Sequence, residues 1–127
     1  MTQLEQDVHL ITISRLRDVD GCPVSEITFR GSVRQPTMDI FHDYLRRAGE
    51  RAPHLLVDLA ELDSMSSEAL GVLLDQSRTQ ELSGGWLRVV SPSEAADMIL
   101  RLSGVVDVLG VFPDAETALA DAPSRAA

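Results

Sequence analysis

The sequence predicts an α/β fold, a mixed β-sheet with an N-terminal hairpin and about four helices packed on it. Near the N-terminus, two segments of alternating apolar residues flank a short charged stretch, which is typical of a hairpin. After them, segments with apolar residues at helical spacing alternate with short apolar runs, which indicates strands connected by helices. The predicted order is β-β-α-β-α-β-α-β-α within one domain, residues 1–127. Right-handed crossovers would place the helices that follow the third and fourth strands on one face of the sheet.

The N-terminal half is expected to contribute the hairpin, one helix and a polar tail over residues 1–7. Arg30 and Gly31 are expected to end the second strand, and Gly49 to stop the helix. The predicted elements are a strand over 8–13, a charged turn over 15–21, a strand over 24–29, a loop over 32–37 and a helix over 37–48.

The C-terminal half is expected to alternate strands and helices up to a tail over residues 121–127. A capping box is predicted at the third helix, with Ser91 as N-cap, Pro92 at N1 and Glu94 at N3. The predicted apolar face of that helix is Ala95, Met98, Ile99 and Leu102. The predicted elements are strands over 54–59, 86–90 and 108–112, and helices over 67–82, 92–102 and 115–120.

Composition and charge limit the classes of partner. The chain has 44% hydrophobic and 24% charged residues, ordinary values for a globular domain. Its 20 acidic and 11 basic residues give a formal net charge of −9, which disfavours nucleic acid and anionic membrane surfaces as partners. No apolar run approaches the roughly 20 residues of a membrane span, and no secretory signal is evident. With Cys22 as its single cysteine, the chain is expected to be cytoplasmic and without an internal disulfide.

The most informative segment is 54–74, in which an apolar run is followed by a polar turn and then a helix. In an open α/β sheet such a turn lies at the carboxyl end of a strand, where ligands and partners bind. Ser66 and Ser67 lie where the helix is predicted to begin. The simplest interpretation is that Ser66 is the N-cap and Ser67 is N1. The second is that a serine here accepts a phosphate, which the helix dipole would favour.

Other chemistry has little support in the sequence. His9, His42 and His54 have no metal-ligand spacing, so no metal site is expected. Ser67 has no evident base and no nucleophile elbow, so a hydrolase is a poor interpretation and we expect a non-enzymatic protein without a cofactor. Asp58 is expected to form a hydrogen bond near the end of its strand.

Six segments of the sequence match motifs of one domain family, in the same order. The segments at 31–34 and 56–60 take the places of its Gly-Glu-Leu-Asp-like and strand-Asp-Leu-Ser segments. The segment 66–73 (SSEALGVL) corresponds to its signature Asp-Ser-Ser/Thr-Gly-Leu-Gly-Val-Leu. The remaining matches are 84–92 (Gly-Gly, strand, Ser-Pro), 102–105 (Leu-Thr-Gly-Leu) and the closing helix 114–119. Together the six segments resemble the STAS domain, the fold of bacterial anti-sigma factor antagonists.

The resemblance assigns roles to individual residues and also shows where this chain departs from the family. The family's phosphorylated serine or threonine corresponds to Ser67. The acidic residue before it is Ser66 here, and the glycine two positions after it is Ala69. The acidic end of the earlier segment is Arg34, and Glu68 adds a carboxylate beside the acceptor.

The resemblance therefore implies an anti-sigma factor antagonist that frees a sigma factor and is regulated by phosphorylation at Ser67. Its partners would be an anti-sigma factor, often itself the serine kinase that uses ATP, and a Ser/Thr phosphatase; a homodimer is left open. The residues expected to contact a partner are Ser66, Ser67, Glu68, Ala69, Arg34 and Asp63. The alternative is a STAS scaffold or sensor subunit that is not phosphorylated, which the departures at Arg34, Ser66 and Ala69 favour.

Overall fold

The computed structural model describes residues 9–120, which form a five-stranded mixed sheet with helices packed on it. The predicted α/β class and N-terminal hairpin are confirmed. The predicted tails at 1–7 and 121–127 lie outside the described residues. The strands are Leu10–Val19 (β1), Cys22–Val33 (β2), His54–Met65 (β3), Trp86–Val90 (β4) and Gly110–Phe112 (β5). The helices are Met38–Arg51 (α1), Glu68–Leu82 (α2), Glu94–Leu102 (α3) and Ala115–Ala118 (α4), with a 3₁₀ turn at Gln35–Thr37.

The sheet has the strand order β1-β2-β3-β4-β5, antiparallel between β1 and β2 and parallel elsewhere. Helices α1, α2 and α3 cover one face, which we call the helix face, and bury the main core there. Alternate strand residues point to the other face, where Val24, Leu56 and Val90 form a smaller core with Ala118 of α4. Among residues 9–120, no helix is long and apolar enough to cross a membrane.

The hairpin turn is tighter than predicted. Strand β1 continues through the charged segment to Val19, so only Asp20 and Gly21 remain as the turn, with φ of 53° and 85°. Two central residues with positive φ form the turn that matches the twist of a hairpin. The charged residues belong to the strand because Arg15 and Arg17 both pair with Glu26 of β2, at 2.8 and 2.9 Å. The predicted turn over 15–21 is therefore wrong.

Strands β2 and β3 also run further than predicted. Gly31 does not end β2: it has φ of +120°, and a Cβ atom there would collide with the carbonyl oxygen of His9. The strand continues to Val33, which leaves only residues 34–37 of the predicted loop. Strand β3 continues from the predicted end at residue 59 to Met65, which is buried.

Asp58 holds an irregularity within β3 and does not lie at the strand end. The register shifts between Thr28 and Arg30 of β2, which pair with Asp58 and Glu61 of β3, so β3 has one extra residue there. The Asp58 carboxylate accepts a hydrogen bond from the Ala60 N–H at 2.9 Å, which satisfies a backbone donor of the bulge.

The end of α1 is set by packing against α2. The helix continues past Gly49 to Arg51, so the predicted stop is wrong. A Cβ atom at Gly49 would collide with the amide groups of Gln76 and Gln80 on α2. Gln80 is fully buried and donates to the carbonyl oxygens of Ala52 and Pro53, at 3.0 and 2.8 Å. The absence of a side chain at Gly49 therefore leaves room for the amide groups of Gln76 and Gln80.

Helix α3 begins two residues later than the predicted capping box implies. Ser93, not Ser91, is its N-cap and accepts from the Ala96 N–H at 3.1 Å. Ala96 and Leu100 lie in the core with Ile99 packed beside them, whereas Met98 and Leu102 are exposed. The predicted capping box is therefore wrong, and the predicted apolar face is confirmed at Ile99 and wrong at Met98 and Leu102. The last strand is also shorter than predicted, Gly110–Phe112, and α4 ends at Ala118.

Candidate functional site

The candidate site lies where the carboxyl ends of β2 and β3 meet. The two strands are parallel, and their last residues, Val33 and Met65, are register partners. The Ser66 N–H then donates to the Val33 carbonyl oxygen at 2.9 Å, which extends the pairing by one bond. Arg34 and Ser66, which the resemblance assigns to the contact surface, therefore follow the ends of neighbouring strands.

Neither serine at the start of α2 caps the helix with its side chain. Ser67 occupies the N-cap position, but its φ and ψ of −66° and −21° are helical and its hydroxyl makes no capping bond. Ser66 lies outside the helix, and its Oγ is buried without a hydrogen-bond partner in the described structure. The predicted assignment of Ser66 as N-cap and Ser67 as N1 is wrong. Because Ser67 is exposed, its hydroxyl is available to solvent and to a second protein.

The first turn of α2 is held by main-chain bonds. The Ser66 carbonyl oxygen accepts from the Ala69 N–H at 3.1 Å, and that of Ser67 accepts from the Leu70 N–H at 3.0 Å. These bonds satisfy two helix N–H groups that a serine side chain would otherwise have capped. Glu68 is exposed and lies in the first turn, where the helix dipole favours a negative charge.

The remaining predicted contact residues divide by exposure. Asp63, near the end of β3, is exposed. Ala69 is fully buried, so its side chain is not accessible to a partner and we leave it out of the proposed contact surface. Arg34 is exposed, and it forms no ion pair with any residue of the described chain.

Thr37 positions Arg34, although the sequence analysis did not single it out. Its side chain is buried at 3% exposure, and its Oγ1 donates to the Ser32 carbonyl oxygen at 2.6 Å. The Arg34 N–H in turn donates to the same Oγ1 at 3.2 Å. This pair of bonds fixes the loop after β2. A threonine just before a helical segment is the sequence signal that could have indicated it.

The other candidate residues lie away from this edge. Within residues 9–120, no group of His, Cys, Asp and Glu side chains could hold a metal ion. His54 is buried against Trp86, with ring centroids 4.7 Å apart, and its Nδ1 has no hydrogen-bond partner in this region. Burial and the nearby charge of Arg88 lower the pKa of His54 below its ordinary value of 6.5. Burial also raises the pKa of Asp58 above 3.8, with a smaller contribution from the charges of Glu26 and Glu61.

A groove of about 660 Å³ lies between α1 and α2, away from the candidate site. Charged side chains that line the groove are paired with opposite charges: Arg46 with Glu50 at 2.9 Å, and Asp75 with Arg78 at 3.3 Å. None of the predicted site residues lines it. The groove therefore adds nothing to the chemistry of Ser67.

The comparison with protein families decides the identity of the domain. The model described as "Mlab, STAS domain" matches residues 16–111. The chain belongs to the STAS domain family. The predicted resemblance is confirmed, and no curated protein matches the chain.

Solved structures with the same fold include anti-sigma factor antagonists. One from Mycobacterium paratuberculosis has a TM-score of 0.72 and 20% identity, covering 87% of this chain and 93% of that one. The antagonist SpoIIAA in its unphosphorylated form gives 0.65 and 16%, covering 86% and 96%. A STAS-domain antagonist protein from Planctomyces limnophilus gives 0.68 and 17%, covering 85% and 96%. At these identities the likeness shows the fold alone.

Proposed function

We propose that this STAS-domain protein is an anti-sigma factor antagonist, that it binds an anti-sigma factor through the edge containing Ser67, and that phosphorylation of Ser67 releases it. The observation that carries the proposal is the exposed Ser67 hydroxyl, which forms no capping bond at the start of α2. In this role the protein acts in the cytoplasm by binding and catalyses nothing. Its other partners are a serine kinase, which can be the anti-sigma factor itself, and a Ser/Thr phosphatase.

The local structure supports Ser67 over its neighbour as the phosphoacceptor. The Ser66 Oγ is buried, so a kinase could reach it only after the turn opens. The Ser67 hydroxyl is exposed without any rearrangement. A phosphate there adds about −1.5 to −2 charge at the positive end of the α2 dipole, which tolerates an anion. Phosphorylation is therefore compatible with the folded domain.

The same charge weakens a complex in which Ser67 is buried. An interface formed around a neutral serine must desolvate the phosphate or leave it unpaired. A hundredfold weaker complex requires only about 2.7 kcal/mol. One unpaired interfacial charge supplies a penalty of that size.

The proposed contact surface consists of the exposed residues at this edge. It combines acidic Asp63 and Glu68 with Ser67 and basic Arg34, and the main chain of Ser66 joins them. A partner with a mixed-charge surface complements this arrangement better than a uniformly acidic or basic one.

Arg34 favours a second candidate, a STAS scaffold or sensor subunit that is not phosphorylated. An exposed guanidinium at the strand end, which forms no ion pair within residues 9–120, could instead anchor a carboxylate of a permanent partner. In that case Ser67 would be one contact among several and not a switch.

The two functions are separated by the effect of a charge at Ser67. Wild type, Ser67→Ala and Ser67→Asp would be immobilised, and the proteins captured from the host lysate identified by mass spectrometry. Ser83→Asp is the matched control, since it places the same charge at an exposed position at the other end of α2. We expect wild type, Ser67→Ala and Ser83→Asp to capture a regulator that itself binds a sigma factor, and Ser67→Asp to lose it.

Two outcomes would contradict the proposed switch. Equal capture by wild type and Ser67→Asp would show that the site tolerates a negative charge, which is the scaffold result. Capture of partners unrelated to any sigma factor would remove the antagonist assignment itself.

A further inference from the structure

Strand β1 has an outer edge with which no strand among residues 9–120 pairs. It ends the strand order of the described sheet, with β2 as its single neighbour there, and it is ten residues long. An edge of this length presents unpaired N–H and C=O groups to any strand that can add to it.

The hydrogen bonds between β1 and β2 show which backbone N–H and C=O groups of β1 point away from β2. The Ser32 N–H donates to the His9 carbonyl oxygen at 2.9 Å, so His9 faces β2. In an antiparallel ladder, the backbone groups of alternate residues face the same neighbouring strand. The backbone groups of every second residue from His9 to Val19 therefore face β2. The residues whose backbone groups face outward are Leu10, Thr12, Ser14, Leu16 and Asp18.

Apolar side chains flank this edge on both faces of the sheet. Ile11 and Ile13 are 45% and 50% exposed on the face opposite the helix face. Leu16 is 50% exposed on the helix face, on the same side of the strand as Leu10. Proteins whose edge strands do not pair with another chain usually carry charged side chains or proline on those strands.

The basic residues of β1 do not prevent strand pairing at this edge. Arg15 and Arg17 both direct their Nε atoms to Oε1 of Glu26 in the neighbouring strand, at 2.8 and 2.9 Å. Their charges are thus turned inward over the sheet and are partly neutralised. On the helix face, Arg51 of α1 donates to the Ser14 Oγ at 3.2 Å, so the apolar side chains of the edge are Ile11 and Ile13 on one face and Leu16 on the other.

We propose that a second copy of this chain pairs with β1 across a two-fold axis at Ile13, so that the two sheets become continuous. Only the even-numbered residues of β1 direct their backbone groups outward. In an antiparallel pair of two β1 strands, an even-numbered residue must therefore lie opposite an even-numbered residue of the partner. With the axis at Ile13, Leu10 lies opposite Leu16 of the partner and Thr12 opposite Ser14. Ile13 faces its own copy at the close, non-hydrogen-bonded spacing.

Neighbouring registers are less favourable. With the axis at Arg15, two guanidinium groups lie directly opposite each other, which is destabilising. With the axis at Ser14, Leu10 faces Asp18. With the axis at Thr12, Ile11 faces Ile13 of the partner, but Leu10 faces Ser14. Among these registers, only the one with the axis at Ile13 sets leucine against leucine on the helix face while it also groups the isoleucines on the other.

The proposed dimer contact lies at the outer edge of β1, whereas the proposed switch acts at Ser67, so either can fail alone.

Sedimentation equilibrium of the full chain tests the dimer. In about 0.15 M salt, which screens the net charge of −9 beyond about 8 Å, we expect wild type to show a concentration-dependent dimer. Ile13→Lys sets two ammonium groups opposite each other and should raise the dissociation constant by at least about tenfold. Leu82→Lys is the control, because Leu82 is 90% exposed on α2, and it should dimerise like wild type.

A second variant separates the backbone contact from side-chain effects. Ser14→Pro removes an outward N–H, and proline is tolerated on an edge where that group does not serve the internal ladder. We expect this variant to remain folded by circular dichroism and to be monomeric. A monomeric wild type up to about 1 mM, or a dimer that persists in both Ile13→Lys and Ser14→Pro, would overturn the proposal.

Cross-linking tests the register. Under oxidising conditions, Ile13→Cys should form a disulfide-linked dimer, because each Ile13 faces its own copy. Ile11→Cys faces Arg15 and should cross-link much more slowly. The buried Cys22 of wild type serves as the background control. Faster cross-linking at position 11 than at position 13 would refute the two-fold axis at Ile13.

Discussion

Removing the Ser67 hydroxyl should leave the stability of the domain almost unchanged. A serine that caps a helix with its side chain contributes about 1 kcal/mol. The Ser67 hydroxyl forms no such bond, so Ser67→Ala should lose less than about 0.5 kcal/mol. Ser93 provides a matched comparison in the same chain, because its side chain accepts from the Ala96 N–H at 3.1 Å. Ser93→Ala should therefore lose about 1 kcal/mol.

Urea unfolding followed by circular dichroism measures both losses. With a slope of about 2 kcal/mol per molar, the Ser93→Ala midpoint should fall by about 0.5 M, and that of Ser67→Ala by less than about 0.25 M. Ser66→Ala should keep or raise the midpoint, since it removes a buried hydroxyl without a partner in the described residues. Equal losses for Ser67→Ala and Ser93→Ala would refute the argument that the Ser67 hydroxyl is free for another use.

Three further predictions concern the core and the pH dependence of stability. Leu73→Ala should lose about 2–5 kcal/mol in the same assay, because Leu73 is fully buried in the main core; a shift below 1 kcal/mol would contradict its place there. The lowered pKa of His54 means that the unfolded chain binds a proton first, so stability should fall as pH drops below about 6.5. His54→Phe should flatten that fall, and an unchanged profile would contradict the role of His54. The raised pKa of Asp58 has the opposite sign, so the native state gains stability relative to Asp58→Asn as pH falls towards 3.8. Above that pH, Asp58→Asn should be at least as stable as wild type, since its amide oxygen can still accept from Ala60; a lower midpoint at pH 7 would contradict this.

The fold class was predictable because its signals are local. Apolar runs such as 54–59 and the helical spacing of Leu70 and Leu73 report the type of element without reference to the rest of the chain. The order of these elements is enough to predict a mixed sheet with crossover helices.

The strand ends were not predictable because they depend on contacts between distant residues. Arg15 and Arg17 look like turn residues until Glu26 is placed beside them. Arg30 likewise pairs with Glu61, at 2.6 Å, across the extended parts of β2 and β3. Charges that pair across neighbouring strands are compatible with a sheet, and a single sequence does not show the pairing.

The predicted start of α3 was wrong for a related reason. Both Ser91 and Ser93 satisfy the local rules for an N-cap. A tertiary bond decides between them, since the Ser91 hydroxyl donates to the Pro113 carbonyl oxygen at 3.0 Å and its backbone adopts φ of 49°. The apolar face was a separate error, since Met98 and Leu102 have the helical spacing of a core face but are 57% and 78% exposed.

The position of the site was predictable, but the state of its side chains was not. A strand, a short polar segment and a helix were enough to place the serines at the carboxyl edge of the sheet. The Ser66 N–H bonds to the Val33 carbonyl oxygen and the Ser66 Oγ is buried, and both contacts arise only when the two strands meet in the fold. Sequence rules favoured Ser66 as the N-cap. In the fold Ser67 occupies the N-cap position, and its exposed side chain forms no capping bond.

The most direct test of the central claim is a phosphopeptide map of the protein purified from its own host during growth and under stress. Intact mass would be measured before and after treatment with a Ser/Thr phosphatase, with Ser66→Ala and Ser67→Ala expressed in parallel. We predict a phosphatase-sensitive phosphate on Ser67 that Ser66→Ala retains and Ser67→Ala loses. A phosphate on another residue, or none under either condition, would contradict the proposed switch.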